Sequence, residues 1–288
     1  LKYIVRRLLL IIPVLLGAII IIFTINYFST TDPAMIKLGL KANDPVLLAE
    51  MRHDMGLDRP YIVQLGEYLI NLCKGDLGNS YVYSKTVAEL IGSRIPNTLK
   101  ISLGAILISI CLGIPLGLAA ALHQNSFIDY LTSVLAILLT AIPGFLVAVV
   151  LVQFFAVKLG WFPVIGWPSE HLWTSGWQYT VLPTLAGCFG YIASYARLLK
   201  ASMLDVMNQD YILTAESKGL THREVILHHV LRNSFIPIVT NLPMSVAMCI
   251  TGSFFIESVF SIPGLGLYYV TAVAAQDVTI VMGETVIL

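Results

Sequence analysis

Charged residues are absent from Leu8 to Phe28, Ile101 to Leu122, Tyr130 to Val157, Thr180 to Ala196 and Phe235 to Ile256. A helix needs about 20 mostly apolar residues to cross a bilayer, so each run predicts a membrane span once glycine and proline interruptions are allowed. The first run, behind Lys2, Arg6 and Arg7, competes with a cleavable signal peptide. It outlasts the roughly 7 to 15 apolar residues of such a segment and no A-x-A-like site follows, which predicts a retained span. After Asp277 the chain turns apolar again as VTIVMGETVIL, too short at about 1.5 Å per residue to cross about 30 Å, so a sixth span is expected to be incomplete within these residues.

Between the first two runs, the pattern is that of short amphipathic helices. Asp44 with Pro45 predicts a helix start and Gly56 its stop; Pro60 starts another that ends near Gly75; Thr86 to Glu89 (TVAE) is a capping box opening a third before Pro96. Leu47, Leu48, Met51, Ile62 and Leu65 recur at helical spacing, favouring a small helical cap over a flexible linker. The organisation expected is therefore a tail and first span over 1–28, an outer helical segment over 29–100, and a core over 101–288 with a polar loop at 205–234.

That loop, TAESKGLTHREVILHHVLRN from Thr214 to Asn233, is well punctuated. Asp210 is a good N-cap for a helix over Tyr211 to Lys218, Gly219 suits the left-handed position that ends a helix, and Leu220 supplies the apolar residue that follows. Thr221 and Glu224 form a T-x-x-E capping box for a second helix leading into the fifth run. Its stripe of Val225, Ile226, Val230 and Leu231 predicts packing against the bundle, leaving the first helix exposed. Such a helix suits docking into a partner's groove; a loop that merely tops off the bundle and a helix lying among lipid headgroups are the alternatives.

Composition sharpens the class. Only 12% of the 288 residues are charged and 57% are hydrophobic, with a mean hydropathy of +0.82; soluble domains carry roughly 25% charge. The formal net charge is zero, with no basic excess to bind nucleic acid. Lys2, Arg6, Arg7, Arg197, Lys200, Lys218, Arg223 and Arg232 fall on one side of the predicted spans and only Lys158 in the short loops of the other, which places the N-terminus in the cytoplasm. The basic residues of Ser29 to Lys100 do not disturb this, because loops beyond about 60 residues translocate largely regardless of charge. Cys73, Cys111, Cys188 and Cys249 lack metal-ligand or redox spacing, so neither a disulfide nor a metal site is expected.

The run DYILTAESKGLTHREVILHHVLRNSFIPIVT resembles the coupling loop of ABC importer permeases, in the form D-Y-I-x-T-A-x-A-K-G-L typical of their peptide and nickel branch. GLDRP, GDLGNS and RIPNT, starting at Gly56, Gly75 and Arg94, are similar to that branch's outer segment, and FFIESVFSIPGLG from Phe254 to Gly266 to its exit from the fifth span. The likeness covers nearly the whole chain, and the short third outer loop is most similar to the oligopeptide permease B-subunit type. It implies an all-α membrane protein with six transmembrane helices of the MetI-like ABC importer permease type, the sixth incomplete here. It further implies residence in a bacterial cell membrane, a homologous second permease subunit, two cytoplasmic ATPase subunits that hold the ATP and Mg, and an extracytoplasmic substrate-binding protein. The ATPase contacts implied are Tyr211, Ala215, Glu216, Gly219 and Leu220. Two residues depart from the pattern: Glu216 stands where a basic residue is usual, and Ser217 where alanine is.

The chain holds no G-x-x-x-x-G-K-[ST] phosphate loop, so the expectation is a transporter subunit powered by partner chains and binding no cofactor itself. H-E-x-x-H and G-x-S-x-G are likewise missing, which leaves an intramembrane hydrolase without recognisable catalytic residues. Pro115, Pro143 with Gly144, Pro183 with Gly187 and Gly190, and Pro243 interrupt the spans, either as simple packing kinks or as the bends of a substrate route. On the fifth span the midplane falls near Met244 to Met248, with Thr251 and Ser253 above. These and Glu257 are the candidate translocation path, although the count from Ile236 puts Glu257 at the outer boundary, where a snorkelling or capping role is expected. Oligopeptides are the expected cargo and nickel or a metal chelate the alternative; a passive channel is a third reading. Of the outer histidines, His53 and His171 are too far apart in sequence to point to a metal site.

Overall fold

The computed structural model describes residues 2–29, 32–168 and 176–288; His171 lies outside them. The regular secondary structure among the described residues is helical apart from one isolated bridge between Asn79 and Thr86. In chain order the helices are α1 (Lys2–Tyr27), α2 (Pro33–Leu38), α3 (Pro45–Asp54), α4 (Tyr61–Cys73), α5 (Val87–Leu122), α6 (Phe127–Ala141), α7 (Gly144–Leu151), α8 (Gln178–Met207), α9 (Asp210–Ser217), α10 (His222–Glu224), α11 (Leu231–Phe260), α12 (Leu265–Ala274) and α13 (Val278–Ile287). They form two compact units: Leu1–Pro96 with Leu267–Leu288, and Asn97–Gly266. This grouping differs from the linear division expected at residues 28 and 100, because the end of the chain returns to its beginning.

In the first unit the helix punctuation follows the sequence. Asp44 accepts from Val46 N at 2.9 Å ahead of α3, and Gly56 and Gly75, at φ +66° and +79°, take the left-handed positions after α3 and α4. Arg59 pairs with Glu67. His53 Nδ1 lies 2.7 Å from Asp58 Oδ2. That bond, and then the charge of Asp58, raises the His53 pKa above the ordinary 6.5, while the same bond lowers that of Asp58. The pair therefore contributes fully only below the unfolded histidine's pKa, and its contribution fades as pH rises through the raised one. NMR titration of His53 should give a midpoint above 6.5, and Asp58→Asn should bring it back to the ordinary value.

One boundary differs from expectation. Glu89 N donates to Thr86 Oγ1 at 3.2 Å at the start of α5, but the helix does not stop before Pro96. It runs unbroken to Leu122, so the third outer helix and the second span are one 36-residue element.

In the second unit, α8 is central and packs against α6, α7 and α11. The sequence expects a single span over Tyr130 to Val157; the structure breaks it. Ile142 is extended at φ −90°, ψ 121°, as a residue before proline prefers, and the two halves meet at 95°. Pro183, Pro237 and Pro243, by contrast, lie inside unbroken helices.

Among the described residues three helices are long and apolar enough to cross a membrane, or four if the bent pair is one span. The expected span over Thr180 to Ala196 forms within α8 but falls outside that set. Its buried face, with Thr184, Ala186, Cys188 and Ala193, meets protein rather than lipid, so it has less need of hydropathy. The first span shows the converse: only 6% of its most apolar window is buried within the protein and its hydropathy is 2.7.

A candidate coupling loop and an uncharged cleft

After α8 ends at Met207, the chain makes α9, a corner, and a continuous helical rod from His222 to Phe260. The corner is built by backbone chemistry. Lys218 N donates to Thr214 and Ala215 carbonyls, Gly219 N to Glu216 O at 2.9 Å, and Gly219 adopts φ +83°. The capping box that follows is complete: Glu224 N donates to Thr221 Oγ1, and Thr221 N donates to Glu224 Oε2 at 2.8 Å. Gln209 rather than Asp210 occupies the capping position of α9, and Asp210 is the acid of its first turn, where the helix dipole favours it.

The rod is not uniform. Val225–Val230 forms a π-helical turn between α10 and α11, a geometry that often marks functional positions. Val225, Ile226 and Val230 are buried as the sequence predicts and form one core with Tyr195, Leu199 and Met203 of α8.

Ile212 and Ala215 belong to the same core, which corrects the assignment of Ala215. At 6% exposure it faces the bundle rather than a partner, because residues three apart share a helix face and Ile212 anchors that face inward. Tyr211, Glu216, Gly219 and Leu220 remain exposed. Leu213, 62% exposed, joins them. The sequence alone does not say which of the neighbours Ile212 and Leu213 turns inward, since an apolar helix face admits adjacent positions. Tyr211 also ties the loop to the rod, its hydroxyl accepting from Asn233 Nδ2 at 3.1 Å.

Further along the rod a cleft of about 590 Å³ opens among α6, α7, α8 and α11. Its polar lining comes from Thr140, Tyr191, Ser194, Asn241 and Ser245, and Gly144, Gly187, Gly190 and Gly252 widen it by lacking side chains; no charged side chain lines it among the described residues. The break at Pro143 forms one wall. Of the residues expected along a path, Met244 and Met248 line the cleft. Thr251 bonds back to Ala247 and Met248 carbonyls on its own helix, and Ser253 and Glu257 are buried at 3% and 0% exposure; these three do not line it. The snorkelling role expected for Glu257 is overturned. Its Oε1 accepts from Thr98 Oγ1 at 2.7 Å and Ser253 Oγ at 3.0 Å inside the protein.

Apolar rods of bilayer length, a helix–glycine–helix corner fused to one of them, and an uncharged cleft along that same rod define a membrane transport permease. Residues 113–288 match the family described as binding-protein-dependent transport system inner membrane component, and residues 1–102 match the N-terminal region of such membrane components. The chain belongs to this family. The glutathione transport system permease protein GsiC of Salmonella typhimurium is 34% identical over 287 residues, covering 100% of this chain and 91% of the relative. A putative peptide permease protein of Brucella suis biovar 1 is 36% identical over 295 residues, covering 100% and 92%. A putative peptide transport system permease protein of Brucella abortus is 37% identical over 278 residues, covering 96% and 88%. The protein is thus a multi-pass permease subunit of a bacterial inner-membrane transporter and not itself an enzyme.

Proposed function

We propose that this chain imports oligopeptides by alternating access, with its N-terminus in the cytoplasm. A homologous second permease, two cytoplasmic ATPases that hold ATP and Mg, and an extracytoplasmic binding protein complete the transporter. The observation that carries this reading is the continuity of the rod. The corner at Gly219 holds α9 at the start of a helix whose middle, at Met244 and Met248, lines the cleft. Closure of an ATPase pair on the exposed face of α9 would reach the cleft through packed, hydrogen-bonded structure. The names of the relatives, glutathione and peptide permeases, favour peptide over nickel. The uncharged cleft suits a cargo whose side chains vary, since hydroxyls, an amide and glycine backbones accept many of them.

The test is to purify the tagged chain from native membranes with its partners and to follow peptide uptake together with substrate-stimulated ATP hydrolysis. Leu213→Asp should lower both by about tenfold or more by placing a charge in the docking contact. Gly219→Val should do likewise with assembly intact: open space surrounds the position, so the cost of about 1 kcal/mol or more is backbone conformation alone. Full uptake and stimulated hydrolysis in both variants would refute the coupling role. A homo-oligomer that conducts without any ATPase would favour the channel.

A further inference from the structure

The first unit contains a cavity of about 400 Å³ whose chemistry is unlike that of the cleft. Phe23 and Tyr27 of α1 and Tyr68 of α4 give it aromatic walls, and Thr279 and Met282 of α13 also line it. Charges of both signs line it: Lys37 from α2, Glu67 from α4, which pairs with Arg59, and Asp76 from the loop after α4. Asp76 Oδ1 accepts Gly78 N at 2.8 Å, which orients the carboxylate. Asn71 and Asn79 also line it. The Tyr68 hydroxyl is buried and has no hydrogen-bond partner among the described residues. Burial pushes its pKa up to about 12, so it remains a proton donor at neutral pH.

We propose that this cavity is a second binding site, for the two charged ends and the backbone of a short peptide, distinct from the cleft. A free peptide carries an ammonium, a carboxylate, and amides that must both donate and accept. Lys37 complements the carboxylate, Asp76 the ammonium, Asn71 the backbone, and the unpartnered Tyr68 hydroxyl a carbonyl oxygen. The volume is at the small end of ligand pockets and holds about two or three residues. The site rests on the peptide reading of the transporter and on the outer side proposed for residues 29–100, from which cargo would arrive. A longer peptide would enter by one end only, so the cavity favours short cargo.

Isothermal titration of the full chain in lipid nanodiscs, with trialanine as the probe, tests this. Saturable binding is expected, with N-acetyl-trialanine amide, which lacks both charges, binding about tenfold more weakly. Lys37→Met should weaken trialanine by a similar factor and leave the neutral analogue nearly unchanged. Tyr68→Phe should weaken both by about fivefold, and Met248→Trp, which fills the cleft, should change neither. Lys37 is exposed and Tyr68→Phe keeps the ring, and unchanged thermal midpoints will establish that these variants fold. Absence of saturable binding would overturn the site, as would binding insensitive to Lys37 and Tyr68 but lost in Met248→Trp. Trialanine uptake by the whole transporter is measured in parallel. Uptake without cavity binding removes this inference alone, whereas binding without uptake removes the assignment of cargo.

Discussion

Gly117→Val should cost the bundle about 3 kcal/mol or more of stability and leave little folded chain in the membrane fraction. A Cβ at Gly117 would lie 2.5 Å from the carbonyl oxygen of Ala196 and 3.0 Å from its Cα, both backbone atoms of α8. One turn earlier, a Cβ at Gly113 would meet Ile192 O at 2.8 Å. The sequence GIPLG thus brings α5 against α8 backbone to backbone, as small residues four apart do in membranes, where no hydrophobic drive holds helices together. Neither obstacle can rotate away, so the helices must separate along their length. Gly92→Ala, on the same helix but with no atom within 4 Å of the new Cβ, is the control. It should be neutral or gain up to about 1 kcal/mol of helix propensity. Thermal midpoints in nanodiscs decide the matter: equal midpoints for the two variants would show that the close approach does not bear on stability.

The same pair of glycines shows what the sequence could and could not disclose. Their spacing is visible, but nothing in a linear pattern says which helix they meet. The corner at Gly219 was legible because caps and left-handed turns depend on residues within one turn of each other. So too was the inward stripe of Val225, Ile226 and Val230, which needs only helical period. Ala215 was misplaced because its resemblance to a coupling-loop position carried no information about which way its face turns; Ile212, three residues away, decided that. The break at Ile142–Pro143 could be seen as an interruption, but its 95° angle depends on the packing of α7 on α8. The cleft required folding altogether, since Thr140, Tyr191 and Asn241 come from three helices far apart in the chain.

Glu257→Ala should be nearly as damaging as the change at Gly117, at about 3 kcal/mol, whereas Glu257→Gln should cost about 1 kcal/mol. A count of residues puts Glu257 near a membrane boundary, yet depth says nothing of what covers it. After Phe260 the chain reverses at Ser261, which is left-handed at φ +53°, and Ile262 N returns to Glu257 O at 2.9 Å. Gly264 then lies so close that a Cβ there would collide with the Glu257 carboxylate. Thr98 Oγ1 donates to Glu257 Oε1 and accepts from Leu265 N at 2.8 Å, so one carboxylate oxygen, through one hydroxyl, holds the returning chain to α5. Alanine removes that acceptor, leaves the Thr98 hydroxyl without it while Ser253 Oγ keeps the Ile250 carbonyl at 2.7 Å, and leaves a cavity. Glutamine keeps an oxygen where Oε1 stands and loses only the charge. A double-mutant cycle with Thr98→Val measures the coupling directly, and about 1 kcal/mol or more is expected. Additive losses would mean that the short hydrogen bond between them contributes nothing, and that packing of the SIPG turn over Gly264 is what keeps Glu257 in place.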